Sequence, residues 1–252
     1  MKNTDTGFGG RKMQEVLTGM GAILTYFAVS ATFALLIRRF TPIPDEVFRK
    51  LLHCILLGSL LIGTLIFQTW WIAALTAIGF AIAVYPILML AERIKGYSKM
   101  VTERKKGELK RSLLAVFAMY AVVVLICWGW RGEKLLALCS IYAWGFGDAM
   151  AALIGKRFGR HILQGKHIEG KKSVEGTLAM FAVSFVCVLI ILLFRGGMPW
   201  YAYPVISLIT AAVSAVVELY TMDGMDTMTC PLAAMAVLVP LVYLFGGALH
   251  GC

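Results

Sequence analysis

Long apolar runs alternate with short polar stretches along the whole chain. The runs cover about Val16–Ile37, Leu51–Phe67, a third stretch after Trp70-Trp71 to Leu90, Leu113–Trp130, Leu135–Ile154, a sixth to Phe194, Ala202–Tyr220, and an eighth from near Pro231 onward. Most match the roughly twenty residues that a helix needs to cross a bilayer core. Open sheet edges cannot face lipid, so the pattern predicts helices and argues against strands. The fold class expected is an all-α polytopic membrane protein of about eight transmembrane helices, forming a single integral-membrane domain over 1–252. Residues 1–15 read as a polar arm. Pro42 and Pro44 break the chain between the first two runs, and Asp45 and Glu46 then suit a helix N-terminus. Pro86 predicts a kink in the third run.

Composition agrees with this pattern. Of 252 residues, 60% are hydrophobic and 15% charged, where a soluble domain carries about a quarter charged. The net charge is +10, but no nucleic-acid motif accompanies it. With eight spans, 18 of the 24 Lys and Arg fall in the loops after the odd-numbered helices. Lys2, Arg11, Lys12, Arg131, Lys134 and Arg195 remain on the other side. The positive-inside bias therefore predicts odd loops in the cytoplasm, both termini outside, and a cell-membrane location. The first run is too long for a secretory signal. The six cysteines form no C-x-x-C pair and read as small buried hydrophobes, with neither disulfides nor zinc expected.

Three loop regions, 38–53, 155–176 and 218–231, carry the candidate chemistry, and all fall on the predicted cytoplasmic side. Asp148 is an acid inside an apolar run, which is costly unless it meets a partner or a water-filled cavity. Gly147, Ala151, Gly155 and Gly159 recur every four residues, a stripe that lets a helix or a ligand approach closely. Lys156, Arg157, Arg160, Lys166, Lys171 and Lys172 follow. Gly165-x4-Gly170-Lys171 is a near miss to a P-loop, but Lys172 intervenes before Ser173 and no buried strand precedes it, so that fold is rejected. The basic cluster can still bind a polyphosphate, and the flanking acids Asp148 and Glu175 point to a divalent metal. Glu218 is a second intramembrane acid, with Ser214 one turn earlier and Asp226 eight residues on. Arg49, Lys50 and His53 lie within one helical turn. His161, His167 and His250 show no metal-ligand spacing.

Together these residues resemble the CTP-dependent lipid-alcohol kinase family of phytol kinase, dolichol kinase and yeast-type diacylglycerol kinase. The matching elements are Arg49-Lys50-x-x-His53; Gly147-Asp148-x-x-Ala151-x-x-x-Gly155-Lys156-x-x-Gly159 through Lys172-Ser173-x-Glu175-Gly176; and Glu218 with Gly224-Met225-Asp226 and Pro231. Thr227 stands where the family usually has Asn. The resemblance implies transfer of the γ-phosphoryl group of CTP to a membrane lipid alcohol, with Mg²⁺ held by Asp148, Asp226 and Glu218. In that reading Glu218 stands near the ion as ligand or general base. Lys156, Arg157, Lys171, Lys172, Ser173, Gly155 and Gly159 form the nucleotide grip, Glu175 orients Lys172 or reaches a metal-bound water, and Arg49, Lys50 and His53 complete the phosphate end. The acceptor would enter between the fifth and seventh helices. Phosphatidate cytidylyltransferases share the central element but carry a Pro-Gly-His-Gly-Gly run that is absent here. A cation- or proton-coupled transporter using Asp148 and Glu218 is the alternative from another class.

Overall fold

A computed structural model describes residues 6–94, 97, 107–165, 168, 172–222 and 224–246, with side chains from residue 9 onward. Its helices are α1 (Thr6–Phe40), α2 (Asp45–Ile66), α3 (Trp70–Ala91), α4 (Glu108–Val124, continued by a π-helical turn Leu125–Trp130), α5 (Lys134–Phe158), α6 (Val174–Arg195), α7 (Ala202–Tyr220) and α8 (Asp226–Gly246). Among the described residues these eight are long and apolar enough to cross a membrane, and the chain is an integral membrane protein. Two-residue strands β1 (Ile162–Leu163) and β2 (Lys172–Ser173) form an antiparallel pair. They correct the expectation of no strands. The pair lies in the loop between two membrane helices, where the prohibition on sheet edges in lipid does not apply.

Several boundaries move outward from the apolar runs. Polar residues 6–15, read as an arm, are helical and continue α1. Glu15 explains why: its carboxylate accepts hydrogen bonds from the Gln68 and Thr69 amides at 2.7 and 2.9 Å and from the Thr69 hydroxyl at 3.1 Å. It thus serves the otherwise unpaired N–H groups at the start of α3. α2 opens at Asp45, so most of the expected loop 38–53 is helix. α8 opens at Asp226, five residues before the apolar run. Both helices begin with an acid in the first turn, where the helix dipole favours negative charge. α3 runs through Pro86. The described cysteines are unbridged.

The chain packs as two compact units, 1–121 and 122–252. In the first, Phe27 stacks on Phe80 at 5.2 Å and Phe80 meets Phe117 at 5.2 Å. Buried Thr64 pairs its hydroxyl with Tyr120 at 3.1 Å, and Arg38 holds the first turn of α2 through Asp45 at 2.6 Å and the Ile43 carbonyl at 2.9 Å. Leu17, Val29, Phe33 and Leu36 of α1 stay exposed, as a lipid-facing surface requires.

The second unit is a four-helix arrangement in which α5 packs on α6 and α8, and α7 closes the ring between them. α5 is buried continuously from Leu136 to Gly145. Its contact with α6 runs along small residues. A Cβ at Gly147 would stand 2.6 Å from the Ser184 hydroxyl, which itself donates to the Ala143 carbonyl. A Cβ at Gly176 would stand 2.9 Å from the Ala151 carbonyl oxygen and 3.4 Å from the Gly155 Cα. The glycine stripe therefore seats a helix. α5 and α7 lie across the diagonal of this arrangement. At the far ends of these helices, Arg195 forks onto Glu133 at 2.6 and 3.1 Å.

Gly176→Ala should destabilise the detergent-solubilised protein by about 1–3 kcal/mol through overpacking. Gly79→Ala, whose Cβ meets nothing within 4 Å, should stabilise α3 by up to about 1 kcal/mol. Thermal midpoints of the two variants in one detergent check both signs.

Candidate functional site

The second unit brings three acids to one place from three helices. Glu218, near the C-terminus of α7, lies within electrostatic range of Asp148 on α5 and Asp226 at the start of α8, as well as of Lys172. Buried Cys230, one turn into α8, feels the same three carboxylates. Asp148, Glu218 and Asp226 are all partly buried. Asp148 stands ten residues before the end of α5, about 15 Å along the axis at 1.5 Å per residue, so the cluster is recessed.

Trp144 is the member the sequence did not disclose. It is 1% exposed and its indole N–H donates to Asp226 at 3.3 Å, tying α8 to α5 one turn below Asp148. A buried indole N–H normally has a partner. A Trp four residues before an intramembrane acid was the available signal.

Lys172 reaches this cluster from β2. Its ammonium forms an ion pair with Glu218 at 3.1 Å, donates to the Glu218 carbonyl, and contacts the Thr221 carbonyl at 3.4 Å. Thr221 in turn bonds Val217 at 2.6 Å and Thr229 at 3.0 Å, linking the end of α7 to the first turns of α8. Gly224, at φ +71°, makes the intervening turn with a left-handed backbone that suits glycine.

Other expected site residues serve the framework. Ser173 is 2% exposed, and its hydroxyl caps α6 by accepting from the Gly176 amide at 3.1 Å. Gly155 and Gly159 press against that same Ser173 side chain. These three residues thus share one packing and capping contact at the start of α6. Glu175, expected to orient Lys172 or to reach a metal-bound water, lies against His161. Its carboxylate meets the His161 ring at 2.7 Å and the His161 amide at 3.3 Å, and the Val174 amide returns a bond to the His161 carbonyl at 3.0 Å. These contacts pin the root of the basic loop to the start of α6. His161 was set aside in the sequence because it has no ligand spacing, and a helix-capping partner leaves no such trace.

Lys156 and Arg157 stand exposed in the last turn of α5, where the helix dipole favours cations. They are about 12 Å beyond Asp148 along the axis. Lys171, with Lys166, His167, Glu169, Gly170 and Asp223, lies outside the described residues, as does most of the basic stretch 95–106. In the first unit, Arg49 pairs with Glu46 and reaches Glu108 at 4.0 Å. Lys50 is buried at 8% exposure, and His53 is half-buried on the next turn of α2.

Among the described residues, no group of three or more His, Cys, Asp or Glu side chains is placed to hold a metal ion. The donor set is nevertheless all hard oxygen, the type that Mg²⁺ prefers. That ion usually takes only one or two carboxylates, with substrate phosphates and water completing the shell.

Removing the Glu175 carboxylate should loosen the loop root. Glu175→Ala is expected to raise the rate of trypsin cleavage after Arg160 severalfold, with little change in the thermal midpoint. Peptide mapping of a limited digest measures it.

Comparison with known proteins adds an independent line. No protein-family model matches the chain, and no solved structure does. A phytol kinase from Synechocystis sp. is 27% identical over 234 residues, covering 90% of this chain and 93% of that protein. This likeness over nearly the full length of both chains supports the resemblance to lipid-alcohol kinases of the phytol kinase type that the motifs carry.

Proposed function

We propose that this protein is a membrane kinase that moves the γ-phosphoryl group of CTP to the hydroxyl of a lipid alcohol. The observation that carries the reading is the convergence of Asp148, Glu218 and Asp226 from three helices of a membrane bundle, with exposed cations at the end of α5. The likeness to a phytol kinase supports the reaction class and favours an isoprenoid alcohol as acceptor over diacylglycerol.

Phosphoryl transfer depends mainly on positioning and on neutralising the phosphate charge. Asp148 and Asp226 would hold Mg²⁺, which supplies that neutralisation when bound. Trp144 fixes the Asp226 carboxylate from below. Lys156, Arg157 and Lys171 hold the triphosphate, and the resemblance adds Arg49, Lys50 and His53. Glu218 takes the proton of the acceptor hydroxyl. The bond between the γ-phosphorus and the β-phosphate oxygen breaks, a bond to the alcohol oxygen forms, and CDP leaves. The charge distribution along the sequence supports a cytoplasmic orientation for the acids and outside termini.

The purified protein, given labelled CTP or ATP, Mg²⁺ and a panel of phytol, polyprenol and diacylglycerol, should yield lipid monophosphate and CDP. Release of pyrophosphate would instead identify a cytidylyltransferase, and solute uptake by vesicles without nucleotide turnover would identify a transporter. Asp148→Asn and Asp226→Asn should each lower kcat by about 100-fold or more while still inserting in the membrane. Trp144→Phe keeps the ring but removes the N–H. It should lower kcat by about tenfold, equivalent to losing one hydrogen bond to a charged group, as steady-state rates would reveal.

A further inference from the structure

We propose that Lys172 is a positioning residue that holds Glu218 and the α7–α8 turn, and that it does not bind the triphosphate. The inference rests on the kinase reading for its catalytic consequence, though not for the clamp itself.

The backbone of Lys172 is fixed from both sides. β2 pairs it with Leu163 in register, and the next residue, Ser173, caps α6. From this anchored point the side chain crosses to another helix and ends among three oxygens. These are the Glu218 carboxylate at 3.1 Å, the Glu218 carbonyl and the Thr221 carbonyl at 3.4 Å. An ammonium has three N–H donors and no more. All three have acceptors, so a phosphate oxygen could be gained only by giving up one of them.

The two carbonyls belong to the end of α7, where a helix leaves its last C=O groups without internal partners. A cation placed there is stabilised by the helix dipole as well. Lys172 thereby ends α7 at a defined point. Thr221 carries the restraint onward, through its 3.0 Å contact with Thr229, whose hydroxyl also bonds the Met225 carbonyl at 3.0 Å. Glu218 stands on one side of this turn and Asp226 on the other. One lysine outside α7 and α8 therefore sets the separation of two acids that are eight residues apart in sequence.

The test compares Lys172→Met and Lys172→Arg with the full-length wild type in detergent. A positioning role predicts that Lys172→Met lowers kcat by about tenfold or more while KM for CTP changes less than about threefold. Lys172→Arg should restore a large part of kcat. Hydrogen exchange in peptides covering residues 216–222 should speed up by about tenfold in Lys172→Met, without nucleotide present. A rise of about tenfold or more in KM for CTP, with exchange in that segment unchanged, overturns the proposal. Amine acetylation of the wild type, read by mass spectrometry, needs no variant to fold. Lys172 labelling should be slow and unaltered by CTP with Mg²⁺, and protection of a reactive Lys172 by CTP overturns the assignment. If the wild type transfers no phosphate from any nucleotide, the kinase reading fails. The exchange measurement still decides whether the clamp exists.

Discussion

The close approach of α5 and α6 is the constraint from which the rest of the second unit follows. Gly147, Gly155 and Gly176 remove side chains where the two helices would otherwise collide, and a Cβ at Gly176 would press on backbone rather than on a movable side chain. In a bilayer the lipid tails are as apolar as leucine, so helices associate through close packing and polar contacts rather than through the hydrophobic effect. The Ser184 hydroxyl on the Ala143 carbonyl adds such a contact to the same seam. Once α6 is seated, Ser173 and Lys172 immediately before it have a fixed position relative to Asp148. Lys172 can then reach α7, and α7 can close the ring.

This order matters because the acids cannot be stable on their own helices. A carboxylate in a membrane segment costs a few kcal/mol on insertion scales, and Asp148, Glu218 and Asp226 each belong to a different helix. The bundle compensates through specific groups: the Trp144 indole for Asp226 and the Lys172 ammonium for Glu218. Neither partner is adjacent in sequence to the acid it serves. The polar cluster is thus a product of assembly, and the same contacts that make the acids tolerable also set their spacing.

The sequence disclosed the helices well, because a run of twenty apolar residues has few other uses. It singled out Asp148 and Glu218, since an acid among apolar neighbours is conspicuous in one dimension, and it reached Asp226 only through its spacing from Glu218. It was less informative about helix ends. Asp45, Asp226 and residues 6–15 are polar, and hydropathy cannot tell a capped or protruding helical turn from a loop. The partners were also hidden. Glu175 with His161, Glu15 with the start of α3, and Lys172 with the end of α7 are all long-range choices, and a charged residue in a loop is compatible with many of them. Ser173 shows the same ambiguity at short range. A serine after a pair of lysines reads as a phosphate ligand, but the N-cap of the following helix uses the same hydroxyl.

The glycine stripe shows where physical reading has to pass from pattern to partner. Small residues every four positions allow either a ligand or a helix to come close, and both are chemically reasonable beside a candidate active site. What separates them is the identity of the atoms facing the missing Cβ. For Gly147 and Gly176 those atoms belong to α6 or α5, so the stripe is spent on assembly. The acid cluster is built differently: Glu218 meets no missing Cβ but a lysine from outside its helix, whose three donors already have acceptors.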